Sequence, residues 1–189
     1  MTKILITVAN GQLGSELRNL LDERGVDYDA FDSKSLDITD KQAVDAKLDS
    51  LKPEVVYHCA AYTAVDNAED EGKQVNRKVN EDGTRNVAET AKRVGAKMVY
   101  ISTDYVFNGT NSDEYQVDDP TNPKNEYGKA KLAGEQAVKE ALNDYYIIRT
   151  GSSVSMVRTL FTRCYAWPRI TVSWQWLMTS LAAQLGHEP

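Results

Sequence analysis

The run Lys3-Ile4-Leu5-Ile6-Thr7-Val8 is a short apolar stretch of the kind buried inside a sheet, and it leads through Ala9-Asn10-Gly11-Gln12-Leu13-Gly14 into a helical pattern over Ser15 to Arg24. Strand, glycine turn and helix in that order leave few architectures open. The turn brings backbone N–H groups and a helix N-terminus to one point, an arrangement that suits a pyrophosphate. Gly14 also lets helix and strand pack closely.

The same alternation continues along the chain. Val26 to Phe31, Val55 to Ala60, Met98-Val99-Tyr100-Ile101 and Tyr145 to Thr150 read as four further strands. Between them, Thr39 or Asp40 is a suitable N-cap for a helix running to Leu51, and Pro53 stops it. Val75, Val79, Val87, Ala91 and Val94 mark an amphipathic crossover helix ended by Gly95. Ala64 to Glu71 reads as an acidic, solvated helical segment. Five strands alternating with helices predict an α/β fold, a Rossmann-type doubly wound parallel sheet with helices on both faces. Residues 1–150 form its dinucleotide-binding domain in this reading, and residues 151–189 stand apart from it.

Ser102 and Thr103 close the fourth strand, at the carboxyl end where open α/β sheets place their ligands. Tyr127 and Lys131 lie four apart at the start of a helix, so both side chains share one face. Reducing a ketone requires a proton for the oxygen as hydride reaches the carbon. A phenol titrates near ~10, and an adjacent ammonium is expected to draw it toward a useful value. Thr103 is placed to hydrogen-bond the same oxygen. Asp32 follows the second strand at the distance from the glycines where an acid holds a ribose hydroxyl, a lean toward NAD over NADP. Ala60 and Ala61 are small enough to let a cofactor approach the backbone. His58 and Cys59 are expected to fill the core, and the polar loop Asn108 to Glu126, with Pro120 and Pro123, to cover the site.

A net charge of -6 and the lack of a basic cluster before residue 150 argue against nucleic acid and anionic membrane as partners. The longest apolar runs are far shorter than a membrane span, and the sequence shows no signal peptide. Cys59 and Cys164 have no metal or redox spacing, so the chain is expected to be cytoplasmic and reduced, with no metal site.

Six strings, in order, resemble the extended short-chain dehydrogenase/reductases and, more narrowly, the dTDP-4-dehydrorhamnose reductase family. They are Ile4-Leu5-Ile6-Thr7, Asn10-Gly11-Gln12-Leu13-Gly14, Leu36-Asp37-Ile38-Thr39, Ala60-Ala61-Tyr62-Thr63-Ala64-Val65-Asp66, Ser102-Thr103-Asp104-Tyr105-Val106-Phe107 and Tyr127-Gly128-Lys129-Ala130-Lys131. The resemblance implies Thr103, Tyr127 and Lys131 as the catalytic group. It implies that Gly11, Gln12, Leu13, Gly14, Asp37, Ile38, Ala60, Ala61, Thr63, Tyr127 and Lys131 line an NADPH or NADH cofactor, with Lys131 on its ribose. The implied reaction is reduction of the C4 ketone of dTDP-4-dehydro-6-deoxy-L-mannose to dTDP-L-rhamnose for surface polysaccharide, with the dTDP-sugar as substrate partner and a homodimer possible in the full-length family. Two other readings follow from the same superfamily: a non-catalytic nucleotide-binding regulatory subunit, and another nucleotide-sugar epimerase or dehydratase.

The chain departs from the family pattern twice. Val8 stands where the family has a glycine, and a β-branched residue at φ > 0 costs on the order of 1–3 kcal/mol. Resemblance then stops at Thr150, and the composition changes: from Gly151 onward there is no Lys, one acid (Glu188) and all three Trp (Trp167, Trp174, Trp176). Ser152 to Val157 written as TCT TCG GTG AGT ATG GTC reads Phe-Gly-Glu-Tyr-Gly from the third base. Trp174 to Pro189 at the same offset yields Ala-Val-Ala-Asn-Asp-Gln-Leu-Gly-Arg-Pro-Thr-Trp, and both are family-like strings. The expectation is a frameshifted tail, a largely missing substrate-binding region, little reductase activity and low solubility. Sequencing the gene across the Thr150 codon tests it, and an intact reading frame there would refute it.

Overall fold

A computed structural model describes residues 3–111 and 114–151. Five parallel strands form one sheet: β1 (Ile4–Thr7), β2 (Tyr28–Phe31), β3 (Val55–His58), β4 (Lys97–Thr103) and β5 (Tyr145–Thr150), in the order β2-β1-β3-β4-β5. The chain leaves β1 toward β2 on one side and continues from β3 to β5 on the other. That reversal between β1 and β3 opens a crevice at the carboxyl edge of the sheet. In register, Thr7 faces Phe31 and His58, His58 faces Tyr100, and Thr103 faces Thr150.

Helices α1 (Gln12–Glu23), α2 (Lys41–Leu51), α3 (Lys73–Arg77), α4 (Thr84–Val94) and α5 (Glu126–Ala141) cover the sheet. Alternation along β1 sorts the core. Leu5 points to the face packed by Val44 and Leu48 of α2, Val87 and Ala91 of α4, and Val138 of α5. Ile4 and Ile6 point to the face packed by Leu17, Leu20 and Leu21 of α1. Helices therefore lie on both faces, as the pattern predicts.

Local signals account for most helix ends. Asp40 caps α2 by accepting from the backbone N–H groups of Gln42 and Ala43 at 2.9 and 3.1 Å. Lys52 takes the left-handed conformation just before Pro53, and Gly95 ends α4 at φ 77°. Two segments differ from the sequence expectation. Ala64 to Glu71 holds only a 3-10 turn at Asn67–Glu69. The helix expected over Val75 to Val94 is present and continuous from Lys73, but its middle winds as a π-helical turn at Lys78–Gly83 between α3 and α4, and Val75 is exposed.

The π turn has a visible purpose. It points Asn80 inward, where its Oδ1 accepts from the Tyr62 N–H at 3.0 Å and its Nδ2 donates to the Tyr62 carbonyl at 2.9 Å. Asn76 supports Asn80 at 2.8 Å and donates to the Glu126 carbonyl at 2.9 Å. One turn thus fixes both the loop after β3 and the start of α5.

Candidate active site

The turn after β1 is built as a tight cradle. Gly11 N–H donates to the Val8 carbonyl at 3.0 Å, and a Cβ on Gly14 would lie 2.6 Å from that carbonyl oxygen and 2.7 Å from Ala9 Cα. Only glycine fits at position 14. Gly11 is the N-cap of α1, with no side-chain cap and no acid in the first turn. The first N–H groups of α1 and its positive end are therefore open to an anion. This backbone fits the pyrophosphate of a dinucleotide.

Val8 has φ 48°, the left-handed conformation expected of the glycine it replaces. Its side chain packs against the core on the α2 face, and its Cγ1 would lie 3.5 Å from a Cβ on Gly11. The branched side chain thus borders the cradle. Replacing Val8 by Gly is expected to relieve about 1–3 kcal/mol of strain against about 0.5–1 kcal/mol of added unfolded-state freedom. Loss of the partly buried Val8 methyl groups offsets about another 1 kcal/mol, so the melting midpoint should stay within about 2–4 °C of that of the unaltered protein; a fall of more than about 8 °C in calorimetry would show that Val8 is not strained.

The other cofactor-side residues are spread around this cradle. Gln12 is exposed on the first turn of α1, and Leu13 packs partly against the α1-face core. Asp37 is exposed and accepts from the Thr39 N–H and Oγ1 at 2.9 and 2.8 Å, which holds its carboxyl below the usual range. Ile38 is buried in the core, where a Cβ on Gly83 would collide with its Cδ1 at 2.7 Å. Ala60 is buried and its N–H donates to Thr7 Oγ1 at 3.2 Å, Ala61 is half-buried, and Thr63 is exposed. Asp32 sits in the turn after β2, and its Oδ1 accepts from Ser35 Oγ, Ser35 N–H and Lys34 N–H at 2.6, 2.8 and 3.2 Å.

Thr103 and Tyr127 meet where the end of β4 faces the start of α5, and Lys131 lies on the same buried face of α5 against Ile101 and Tyr100. Asn125 caps α5 by accepting from the Gly128 N–H at 2.7 Å, and a Cβ on Gly128 would collide with the Tyr105 carbonyl, so α5 presses onto the turn after β4. Thr103 Oγ1 donates to Asp104 Oδ1 at 3.0 Å and accepts from the Tyr105 N–H at 3.2 Å. Tyr127 is buried, with its ring edge-on to Tyr105. Burial, followed by the Asp104 charge, pushes its phenol up to about 12, and a hydrogen bond with Thr103 works the other way.

Lys131 shares the buried face of α5 with Tyr127 but does not tune it. Its Nζ donates to the Ile101 carbonyl at 2.6 Å and lies 4.2 Å from the centroid of the Tyr100 ring. Burial pulls its ammonium down to about 7, against the opposing pull of Glu135 and Cys59. The expectation that this ammonium lowers the Tyr127 phenol is corrected: the phenol is raised, because desolvation and Asp104 act on it more strongly. Tyr127 is thus a phenol that holds its proton throughout the neutral range.

His58 is wholly buried between Thr7 Oγ1 at 3.1 Å and Thr84 Oγ1 at 3.2 Å, stacked on Tyr100, with burial holding it neutral at about 3. Burial raises the Cys59 thiol to about 12. Both are core groups, as expected from the strand pattern.

The sequence reading missed the support beneath this group. Glu135 is fully buried, one turn beyond Lys131, and accepts from Ser102 Oγ at 2.7 Å and from Arg149 Nε and Nη2 at 2.9 and 2.7 Å. Arg149 Nη1 also donates to the Val117 carbonyl at 3.2 Å, and its guanidinium lies over the Phe107 ring, tying the 108–125 loop to β5. The signal was present: the apolar pattern Ala130, Ala133, Ala137 and Val138 marks the inward side of this helix, and Lys131 and Glu135 are buried beside it. No group of three metal-ligating side chains occurs among the described residues.

A family model described as the RmlD substrate binding domain matches residues 1–161. The dTDP-4-dehydrorhamnose reductase of Streptomyces griseus is 47% identical over 147 residues, covering 77% of this chain and 48% of that protein. Its counterpart from Mycolicibacterium smegmatis is 44% identical over 149 residues, 78% of this chain and 45% of that one. The crystal structure of dTDP-4-dehydrorhamnose reductase from Bacillus anthracis in complex with NADP aligns at TM-score 0.77 and 42% identity, covering 86% of this chain and 61% of that chain. This chain spans about half the length of the curated relatives it matches. The family match runs past Thr150 to residue 161, into a tail that lies outside the described residues, as do the strings on which the frameshift expectation rests. With an open α1 N-terminus, a Thr103–Tyr127–Lys131 group and matches over most of its length, the chain belongs to the dTDP-4-dehydrorhamnose reductase family.

Proposed function

We propose that the chain carries the dinucleotide-binding and proton-donating part of an NADPH- or NADH-dependent reductase acting on the C4 ketone of dTDP-4-dehydrorhamnose. The observation that carries this reading is the meeting, at one sheet edge, of an uncapped helix N-terminus and a buried, protonated Tyr127 bonded to Thr103. The N–H groups of Gln12, Leu13 and Gly14 would hold the pyrophosphate over the close backbone of Gly11, whose own N–H is given to Val8, and Asp37, Ile38, Ala60, Ala61 and Thr63 would border the nucleotide. Bound there, the cofactor supplies a hydride to the ketone carbon.

Tyr127 gives its proton to the ketone oxygen, and a phenol held near 12 keeps that proton available at neutral pH. Thr103 orients the same oxygen once its hydroxyl turns from Asp104. Lys131 offers Nζ, now given to Ile101, to a ribose hydroxyl. The NADP complex of the Bacillus anthracis relative supports the cofactor class, and the names of the curated relatives support the dTDP-sugar substrate. No described helix is long and apolar enough to cross a membrane.

Fluorescence titration of NADH and NADPH against this chain and its Val8→Gly variant tests the reading. Both proteins are expected to bind, with Val8→Gly the tighter because the branched side chain no longer borders the cradle. Two correctly folded proteins that bind neither dinucleotide would overturn the proposal.

A further inference from the structure

A buried cation needs a buried anion within reach, and Lys131 has one. Lys131 and Glu135 lie one turn apart on α5, and both are buried. They hold consecutive residues of β4: Lys131 Nζ donates to the Ile101 carbonyl at 2.6 Å, and Glu135 Oε1 accepts from Ser102 Oγ at 2.7 Å. Thr103 comes next on the same strand. Glu135 is the only carboxylate with no exposure among the described residues. Its charge is shared, because Arg149, which faces Ser102 in the sheet register, donates to both carboxylate oxygens at 2.9 and 2.7 Å.

The other groups around Lys131 carry no negative charge in the neutral range. On β3, His58 is held neutral at about 3 and the Cys59 thiol is raised to about 12. On β4, Tyr100 turns its ring toward Nζ, and burial raises its phenol above the ordinary value. On α5, Tyr127 keeps its proton to about 12. Glu135 is therefore the anion that works against burial at Lys131, ahead of Cys59. Arg149 on β5 opposes it as a second cation on the same carboxylate, and Lys139, half-exposed at 3.8 Å, adds a screened third. An ammonium gives a ribose hydroxyl a charge-assisted hydrogen bond, and a neutral amine does not.

We propose that Glu135 is a positioning residue that acts through Lys131: its buried carboxylate, fixed by Ser102, keeps Nζ a cation where it is offered to the ribose, and Arg149 sets how much of that charge Lys131 receives. The part that concerns the ribose rests on the dinucleotide reading above.

Side-chain NMR of the lysines, with the Lys131 Cε signal identified by its absence in Lys131→Met, tests this against pH in the chain, in Glu135→Gln and in Glu135→Gln/Arg149→Met. The midpoint, about 7 in the unaltered chain, should fall by about one pH unit or more in Glu135→Gln, where only cations remain, and part of that fall should be recovered in the double variant. A purely structural role would not be mended by a second loss. NADPH dissociation constants from fluorescence titration should rise by up to about tenfold per pH unit above each protein's own midpoint. A midpoint unmoved in Glu135→Gln, or lowest in the double variant, would overturn the proposal. Midpoints that move as stated beside an NADPH affinity indifferent to pH would overturn the ribose role and leave the charge coupling standing. Binding of neither NADPH nor NADH would overturn the reductase reading, and the NMR midpoints would still decide the coupling.

Discussion

Replacing Glu135 by alanine is expected to cost the domain about 3–5 kcal/mol, most of the margin of a fold whose total stability is about 5–15 kcal/mol. The carboxylate is wholly buried and receives one hydrogen bond from Ser102 and two from Arg149, with Lys139 at 3.8 Å. Its removal strands the Arg149 guanidinium, 11% exposed, in a site with no other carboxylate described. Breaking one side of such a pair is far more damaging than replacing both sides together, because the remaining charge keeps its desolvation penalty. The denaturant midpoint should therefore fall sharply for Glu135→Ala, and less for Glu135→Gln, which keeps one acceptor oxygen. A midpoint unchanged by Glu135→Ala would mean that the pair adds nothing to the fold.

The opposite sign is expected one helical turn earlier. Burial holds the Lys131 ammonium at about 7 in the folded protein, against 10.5 for the free side chain. Between these values the unfolded chain binds the proton and the folded chain gives it up, so stability from this group rises as pH increases from about 7 to about 10.5. Below about 7 both states are protonated and the full penalty applies. Lys131→Met keeps the volume and removes the charge, so it should stabilise the domain at neutral pH by about 1–4 kcal/mol, less the bond to Ile101. The contribution to the pH slope should vanish with it. Urea midpoints of both proteins from pH 6 to 9 check this, and parallel curves for the two would refute it. The residue offered for the ribose is thus one that the fold carries at a loss, a familiar cost of function.

Much of this was legible in the sequence, and the reason is periodicity. β5 is found at Tyr145–Thr150 as read, because a β-rich run between polar breaks has few other uses. Tyr127 and Lys131 share a buried face because a helix sets that by spacing alone. Val8 could be foreseen at positive φ because the glycine turn requires it.

What stayed hidden depends on contacts between elements. Arg149 meets Glu135 across fourteen residues and Asn80 meets Tyr62 across eighteen, and no local pattern states such pairs. The effect on Tyr127 was misjudged for the same reason. Being four residues from an ammonium says that the two share a face, but not that the Lys131 ammonium turns to Ile101 instead.

The π turn at Lys78–Gly83 makes spacing a property that the site depends on. Each α-helical residue advances the chain by about 100° around the axis, and the π turn absorbs one residue's worth of that rotation, so rewinding it as regular α-helix with every residue retained would swing α3 by that angle against α4. Val87, Ala88 and Ala91 would still enter the core, but Asn76 and Asn80 would point away from the Glu126 carbonyl and the Tyr62 backbone. Ordinary side-chain changes on the exposed side of this turn should be tolerated far better than any change in its length. In this segment it is the number of residues that carries information from the crossover helix to the loop after β3.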